Sequence, residues 1–252
     1  MIRALVLNLA QETGRLAVQK AQLAALGLPW ERIEATTPVT LARPPDDPYW
    51  ARWQRPLRDT EQAVFESHRR AWEKVVALGD PCLILEDDAL LAAGVPDLLA
   101  AVEGRDDIDH LSLETRGRRK LLAAPHTDLP IRRLYLDRTG AAAYVLWPSG
   151  ARYLLARTAR APALADGAIC SAFGMRSFQA DPALAIQIDQ CARHGIPAPI
   201  TVNSTIDAQP KPHSRRGFSL YQRPAFRARR IWAQIRMGLR QPRFLGRARR
   251  EI

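Results

Sequence analysis

The stretch that most constrains this chain is Pro81-Cys82-Leu83-Ile84-Leu85-Glu86-Asp87-Asp88, an apolar run that ends in three consecutive carboxylates. Leu83 to Leu85 is continuously apolar, as a central strand covered on both faces requires, so the carboxylates fall at its carboxyl end. Open α/β sheets bind their ligands there. Side chains alternate along an extended chain, which sends Glu86 and Asp88 to one side and Asp87 to the other. Two carboxylates close together on one side repel unless something positive lies between them. A divalent Mg2+ or Mn2+ ion bridging to a diphosphate meets that need, because hard oxygen ligands suit these metals. On spacing alone, Glu-Asp-Asp is equally a solvated acidic turn.

The segments around this strand follow an α/β pattern. Arg3 to Leu9 reads as a first strand, Gln11 to Leu26 as a helix stopped by Gly27, and Leu28 to Ala35 as a second strand. Strand, helix and strand at this spacing imply a parallel pair. Residues 36–58 hold five prolines and three aromatics without a clean period, which predicts an ordered loop, either covering a cleft or running over the surface. Asp59 to Leu78 is the clearest helix, with Asp59 and Gln62 as its capping pattern, Gly79 as its stop, and Val64, Phe65, His68, Ala71, Trp72, Val75 and Val76 on one face. His68 is therefore inward, as a packed core residue or as part of a site. Val95 to Val102 reads as a short helix, Asp109 to Glu114 as a strand, and Thr115 to Lys120 as a basic turn, suited to phosphate or simply solvated. Ala141 to Trp147 is a buried strand and Pro148 to Ala156 a helix, while Asp166 and Asp181 stand alone in mixed segments.

Charge divides the chain in two. The net charge is +11, yet residues 1–210 hold 24 basic and 25 acidic residues, and residues 211–252 hold 13 Lys or Arg against one acid, Glu251. We therefore divide the chain into a neutral body at 1–210 and a basic extension at 211–252. Within the extension, Pro224 to Leu239 places Ala228, Ile231, Trp232, Ile235 and Leu239 on one helical face, with arginines on the flanks and opposite side and Phe244-Leu245 beyond. Such a helix suits an anionic membrane surface; the alternatives are packing of its apolar face on the body, or nucleic acid, which that apolar face disfavours. Cys82, Cys170 and Cys191 form no CxxC pair, no apolar run approaches the roughly 18 residues of a membrane span, and Met1 to Ala10 is too short for a signal peptide. These features predict a cytoplasmic protein, peripheral on the inner face of the membrane if the extension binds lipid.

There is no GxxxxGK loop, no GxGxxG after the first strand, no HExxH and no GxSxG, so an α/β protein that holds an activated diphosphate through carboxylates and a metal remains. The order of pieces resembles glycosyltransferase family 25, the lipopolysaccharide or lipooligosaccharide glycosyltransferases. The residues that carry the resemblance are Asn8-Leu9 with Arg15, Leu26-Gly27-Leu28-Pro29-Trp30-Glu31-Arg32, Ser67-His68 with Trp72, Leu83 to Asp88, Thr139-Gly140-Ala141-Ala142-Ala143-Tyr144, Asp166, and Asp181-Pro182-Ala183-Leu184 with Gln187.

The resemblance implies a GT-A-like fold with a mixed, mostly parallel sheet flanked by helices. It implies inverting transfer of a hexose from a nucleotide donor, typically UDP-linked, to a cell-envelope glycan or glycolipid. By the same resemblance Asn8, Arg15, Ser67, Glu86, Asp87 and Asp88 bind the donor, with Glu86, Asp87 and Asp88 also holding the metal. Glu114, Arg116, Thr139 and Gly140 bind substrate, and Asp166 and His68 are the catalytic candidates. Two departures stand out: the family's first strand continues with Asp-Arg where this chain has Ala10-Gln11, and Glu66 replaces a residue that is usually apolar. The departures leave a catalytically inactive nucleotide- or glycan-binding relative as the alternative.

Overall fold

The computed structural model describes residues 1–201, 222–240 and 249–251. Strand β1 (Arg3–Asn8), helix α1 (Thr13–Ala25) and strand β2 (Trp30–Glu34) form the expected unit, with β2 parallel to β1. Helix α2 (Asp59–Leu78) follows the 36–58 loop and stops at Gly79, whose φ of 75° suits a residue without a side chain. Its cap differs from the expected one. Arg58, not Asp59, is the N-cap, and the Glu61 carboxylate accepts the Arg58 N–H at 2.9 Å, because the helix begins one residue earlier than the Asp59/Gln62 pairing requires.

Strand β3 (Cys82–Glu86) lies parallel to β1 and leads into β4 (Ala89–Leu91) and helix α3 (Val95–Val102). Next come β5 (His110–Ser112), β6 (Arg119–Pro125), β7 (Ile131–Leu136) and β8 (Ala143–Leu146), then helices α4 (Pro148–Thr158) and α5 (Ala165–Cys170). Strands β9 (Ser177–Ala180) and β10 (Ala185–Gln187), helix α6 (Gln222–Arg240) and strand β11 (Arg249–Glu251) follow, and short 3-10 helices lie at Trp50–Arg52 and Ile188–His194. The main sheet runs β11-β6-β7-β9-β5-β8-β3-β1-β2, and β10 pairs with β4 in a small second sheet.

This is the α/β arrangement expected, with a mixed sheet between helices. Its parallel pairings are β2 with β1, β1 with β3, and β5 with β9, while the remaining neighbours are antiparallel, so the sheet is mixed but, against expectation, not mostly parallel. Parallel pairing thus prevails in the N-terminal part of the sheet, where the carboxylates emerge. Strands β6, β7, β9 and β10 and helix α5 fall in segments without a clear sequence period. The basic turn is accordingly shorter than expected: Arg119 and Lys120 belong to β6, and Lys120 is buried in an ion pair with Asp137 at 2.8 Å.

Alternation along the strands sorts the core into two layers. Leu5, Leu7, Cys82, Ile84, Tyr144 and Leu146 face α2, α4 and α5 together with Phe65, Trp72, Leu154 and Ile169. Ala4, Val6, Leu83, Leu85, Ala143 and Val145 face α1 and α3 together with Leu23, Leu98 and Val102. The 36–58 loop is part of the first layer, with Tyr49, Trp50 and Leu57 buried in it, which favours the covering reading over a surface excursion. The boundary drawn at residue 210, and Phe244-Leu245, lie outside the described residues.

Helix α6 sits on the body the opposite way from a packed amphipathic helix. Phe226 is buried, Arg229 donates to the carbonyls of Ala51 (2.8 Å) and Trp53 (3.3 Å), and Arg240 donates to that of Tyr135 (2.5 Å). The apolar residues Ile231, Trp232, Ile235 and Leu239 are left exposed.

One core residue makes the fold sensitive to pH. His110 in β5 is buried, and neither ring nitrogen has a hydrogen-bond partner among the described residues. Burial first, and then the charges of Lys120 and Arg133, push it down to about 3. The unfolded chain takes up this proton near pH 6.5, so the neutral ring's advantage is full above that value and is lost as the pH falls toward 3. Urea unfolding of the wild type should therefore weaken more steeply between pH 6.5 and 4.5 than that of His110→Leu, by about 1 kcal/mol per pH unit. Parallel pH profiles would show that the ring is not buried neutral.

Candidate active site

The alternation that sorts the core continues through the carboxylates. Glu86 shares the side of Cys82 and Ile84, and therefore faces α2. Its Oε1 is 3.2 Å from His68 Nε2. Asp87 turns to the α1 side, where Oδ2 accepts from Asn8 Nδ2 at 2.8 Å and Oδ1 from Arg15 Nη1 at 3.0 Å. Asp88 returns to the side of Glu86, and the Gln187 amide donates to both, at 3.4 Å to Glu86 and 3.1 Å to Asp88. The turn backbone is pinned as well: Gln19 donates to the carbonyls of Asp87 and Ala89, and Ile188 N–H to that of Asp88.

A chain of buried donors sets the proton positions behind Glu86. Trp72 Nε1 can only donate, and it donates to the Tyr144 hydroxyl at 2.8 Å. The hydroxyl's other partner is His68 Nδ1, 3.0 Å away, and a neutral imidazole that donates from Nε2 to the acceptor-only Glu86 carboxylate leaves Nδ1 to take the hydroxyl's proton. Nδ1 is then an acceptor, and the imidazole carries its proton on Nε2. The indole, phenol and imidazole together fix the Glu86 carboxylate from behind.

Further carboxyls surround Glu86. Glu114 is buried at the end of β5, accepts the Ala142 N–H at 3.0 Å, and is pushed up to about 7 by burial and then by Glu86. Asp88 is likewise pushed up to about 7, by burial and then by Glu86. Asp166, in the first turn of α5, is raised by burial, opposed by its bond from Gly167 N–H and supported by Glu86. Gly140 lies between Glu114 and Asp137: with φ at 139°, a Cβ there would come within 3.1 Å of Glu114 Oε1. Only glycine meets that approach and that backbone angle without strain.

The structure thus brings together Glu86, Asp88, Glu114, Gly140 and His68, with Asp166 near enough to feel the charge of Glu86. Other expected site residues take different places. Asp87 faces away from Glu86 and Asp88 and is held by Arg15 and Asn8, so the set of three carboxylates expected for a metal reduces to two. Among the described residues no three His, Cys, Asp or Glu side chains are arranged for a metal ion. Ser67 is buried, donates to the Ala63 carbonyl and accepts the Thr36 N–H at 2.8 Å, so it pins the start of the 36–58 loop. His68 has no exposed surface and meets the site only through Glu86. Arg116 pairs with Asp189 at 2.8 Å on the outer surface, and the Thr139 N–H makes a long bond to Asp137. Gln19 was legible only as the residue one turn beyond Arg15 on the same helix face. Lys120 was legible only as a member of the basic turn and Asp137 not at all, because their pairing joins adjacent antiparallel strands.

A separate cavity of about 790 Å³ opens at the carboxyl ends of β1 and β2. Ala10 and Gln11 line it beside Glu34 and Ala35, and Phe65, Glu66 and Arg69 of α2 form the opposite wall. Both sequence departures, Ala10-Gln11 and Glu66, fall on this one cavity.

The family model described as glycosyltransferase family 25 (LPS biosynthesis protein) matches residues 1–169. No curated protein matches the chain. Among solved structures, a Drosophila beta-1,4-galactosyltransferase 7 mutant in complex with manganese, UDP-Gal and xylobiose aligns with 9% identity and a TM-score of 0.38, over 85% of this chain and 82% of that one.

The donor chain behind Glu86 is open to test. Tyr144→Phe strands both Trp72 Nε1–H and His68 Nδ1 in the core and should lower the unfolding free energy by about 1–3 kcal/mol. Nitrogen NMR of the wild-type imidazole should report a proton on Nε2 of His68. A proton on Nδ1 would reverse the direction of the chain.

Proposed function

This chain belongs to glycosyltransferase family 25 and is a glycosyltransferase, and from that premise we propose that it moves a hexose, with inversion, from a UDP-linked donor to a cell-envelope glycan or glycolipid. The observation that carries the reading is the sidedness of the acidic turn. Glu86 and Asp88 share one face and one amide partner, while Asp87 is neutralised on the other. That leaves two carboxylates, close together and partly desolvated, at the carboxyl end of a central strand, where α/β sheets bind ligands.

The pair suits a hard divalent cation, Mg2+ or Mn2+. Both side chains offer oxygen ligands, two carboxylates with substrate phosphates suffice for such an ion, and burial of like charge raises Asp88 until a positive partner arrives. Bound there, the ion supplies positive charge for the diphosphate that leaves. The cavity beside β1 and β2 has the size of a nucleoside site and supports placing the donor's base between Gln11, Ala35 and Phe65.

Asp166 is the base in this reading. It takes the proton of the acceptor hydroxyl while that oxygen bonds to the anomeric carbon and the bond from that carbon to the diphosphate breaks on the opposite face. Burial strengthens it as a base by raising its affinity for the proton. His68 is a positioning residue that orients Glu86, and Asn8 and Arg15 hold the turn through Asp87. Glu114 fixes the Gly140 to Ala142 segment through the Ala142 N–H, next to where the acceptor enters.

Thermal unfolding with UDP-, GDP- and CMP-sugars, each with and without Mn2+, tests the donor side. UDP-sugars with Mn2+ should raise the midpoint by a few degrees, as about 2.7 kcal/mol of ligand stabilisation at a hundredfold excess over Kd predicts, and Asp88→Asn should remove the shift. Asp166→Asn should keep the shift but reduce incorporation of labelled sugar into cell-envelope glycolipid by roughly 100-fold or more. Full transfer by Asp166→Asn would remove its role as base. Binding without any transfer by the wild type would favour the inactive relative.

A further inference from the structure

Helix α6 turns its apolar side to water. Ile231, Trp232, Ile235 and Leu239 are 45%, 61%, 44% and 62% exposed and form one stripe along the helix. The opposite stripe, Phe226, Arg229, Arg236 and Arg240, is the one that touches the body, with Arg236 and Arg240 over the Phe173 ring at 5.4 and 4.6 Å. Leaving that much apolar surface in water costs on the order of 25 cal/mol per Å². The helix contains no acidic residue, and Arg227 and Arg230 are exposed beside the stripe. A second copy of the same face would bring these cations against one another. An anionic surface that also accepts apolar side chains satisfies both properties at once.

We infer that α6 is a bilayer-docking surface, lying in the headgroup region of an anionic membrane, and that it holds the acceptor side of the active site against that membrane. The second half rests on the function proposed above. The contacts of α6 reach the segments that carry acceptor-side groups. Phe173 follows α5, whose first turn holds Asp166, and Tyr135 precedes the Asp137 to Gly140 turn. Trp53, whose carbonyl accepts from Arg229, lies against Gly167, where an added Cβ would come within 3.2 Å of its ring. This orientation agrees with the glycolipid acceptor of the function proposed above. No helix among the described residues is long and apolar enough to cross a membrane, so α6 lies on the surface and does not span it.

The test uses the full chain and vesicles of phosphatidylcholine with and without phosphatidylglycerol. Cosedimentation should be roughly tenfold or more stronger with the anionic vesicles. Trp232→Glu with Ile235→Glu should abolish it while leaving the unfolding midpoint and the metal-dependent donor shift unchanged, since both side chains are exposed. Equal binding to both vesicle types, or undiminished binding by the variant, would overturn the docking surface. So would a concentration-dependent dimer that the same variant dissociates, because a second copy would then be the occupant. Hydrogen exchange with anionic vesicles tests the orientation: protection should appear in α6 and in residues 165–175, and protection confined to residues 34–43 would overturn it. The donor shift is read separately, so failure of the catalytic reading and failure of the membrane reading give different results.

Discussion

The structure depends on keeping several carboxyls together where water is scarce. Glu86 stands at the centre, and its charge raises Asp88, Glu114 and Asp166, each of which burial already disfavours as an anion. Donors placed around the group work against the repulsion. His68 donates to Glu86, Gln187 to Glu86 and Asp88, Ala142 N–H to Glu114, and Lys120 neutralises the adjacent Asp137. What these donors do not supply is a full positive charge between Glu86 and Asp88. That deficit is the physical reason for proposing a divalent cation at this end of the sheet, which would in turn meet the negative charge of a donor diphosphate.

The compensation is built from the strand geometry. Because alternate residues of β1, β3 and β8 face opposite helical layers, the same parity that packs Ile84 against α2 delivers Glu86 to His68. The parity that packs Leu85 against the other layer delivers Asp87 to Asn8 and Arg15. A one-residue slip of β3 that moved Glu86 into the place of Asp87 would leave Arg15 beside the wrong carboxylate and set Leu85 against His68. The core and the site are therefore specified by one register.

Helix α6 follows a different logic. Its arginines bind backbone carbonyls and the Phe173 ring, while its isoleucines and tryptophan face out. Arginine can do this because its guanidinium plane stacks on rings and its donors reach exposed carbonyls. The result couples the surface chemistry of the helix to the segments that carry Asp166 and Gly140.

Much of this was legible in the sequence. The apolar run ending at Glu86, the period of α2 and the spacing of the first βαβ unit fix the parallel strands, the exit of the carboxylates and their division into two sides, because short-range alternation and helical period are local properties. The amphipathic face of α6 was legible for the same reason. What the tertiary structure alone decided is partnership. That Asp87 belongs to Arg15 and Asn8, that His68 backs Glu86 through Tyr144 and Trp72, that Gln187 joins Glu86 to Asp88, and that the arginine side of α6 meets the body all depend on residues from 18 to 178 positions apart. No local pattern encodes such distances; packing of the layers does.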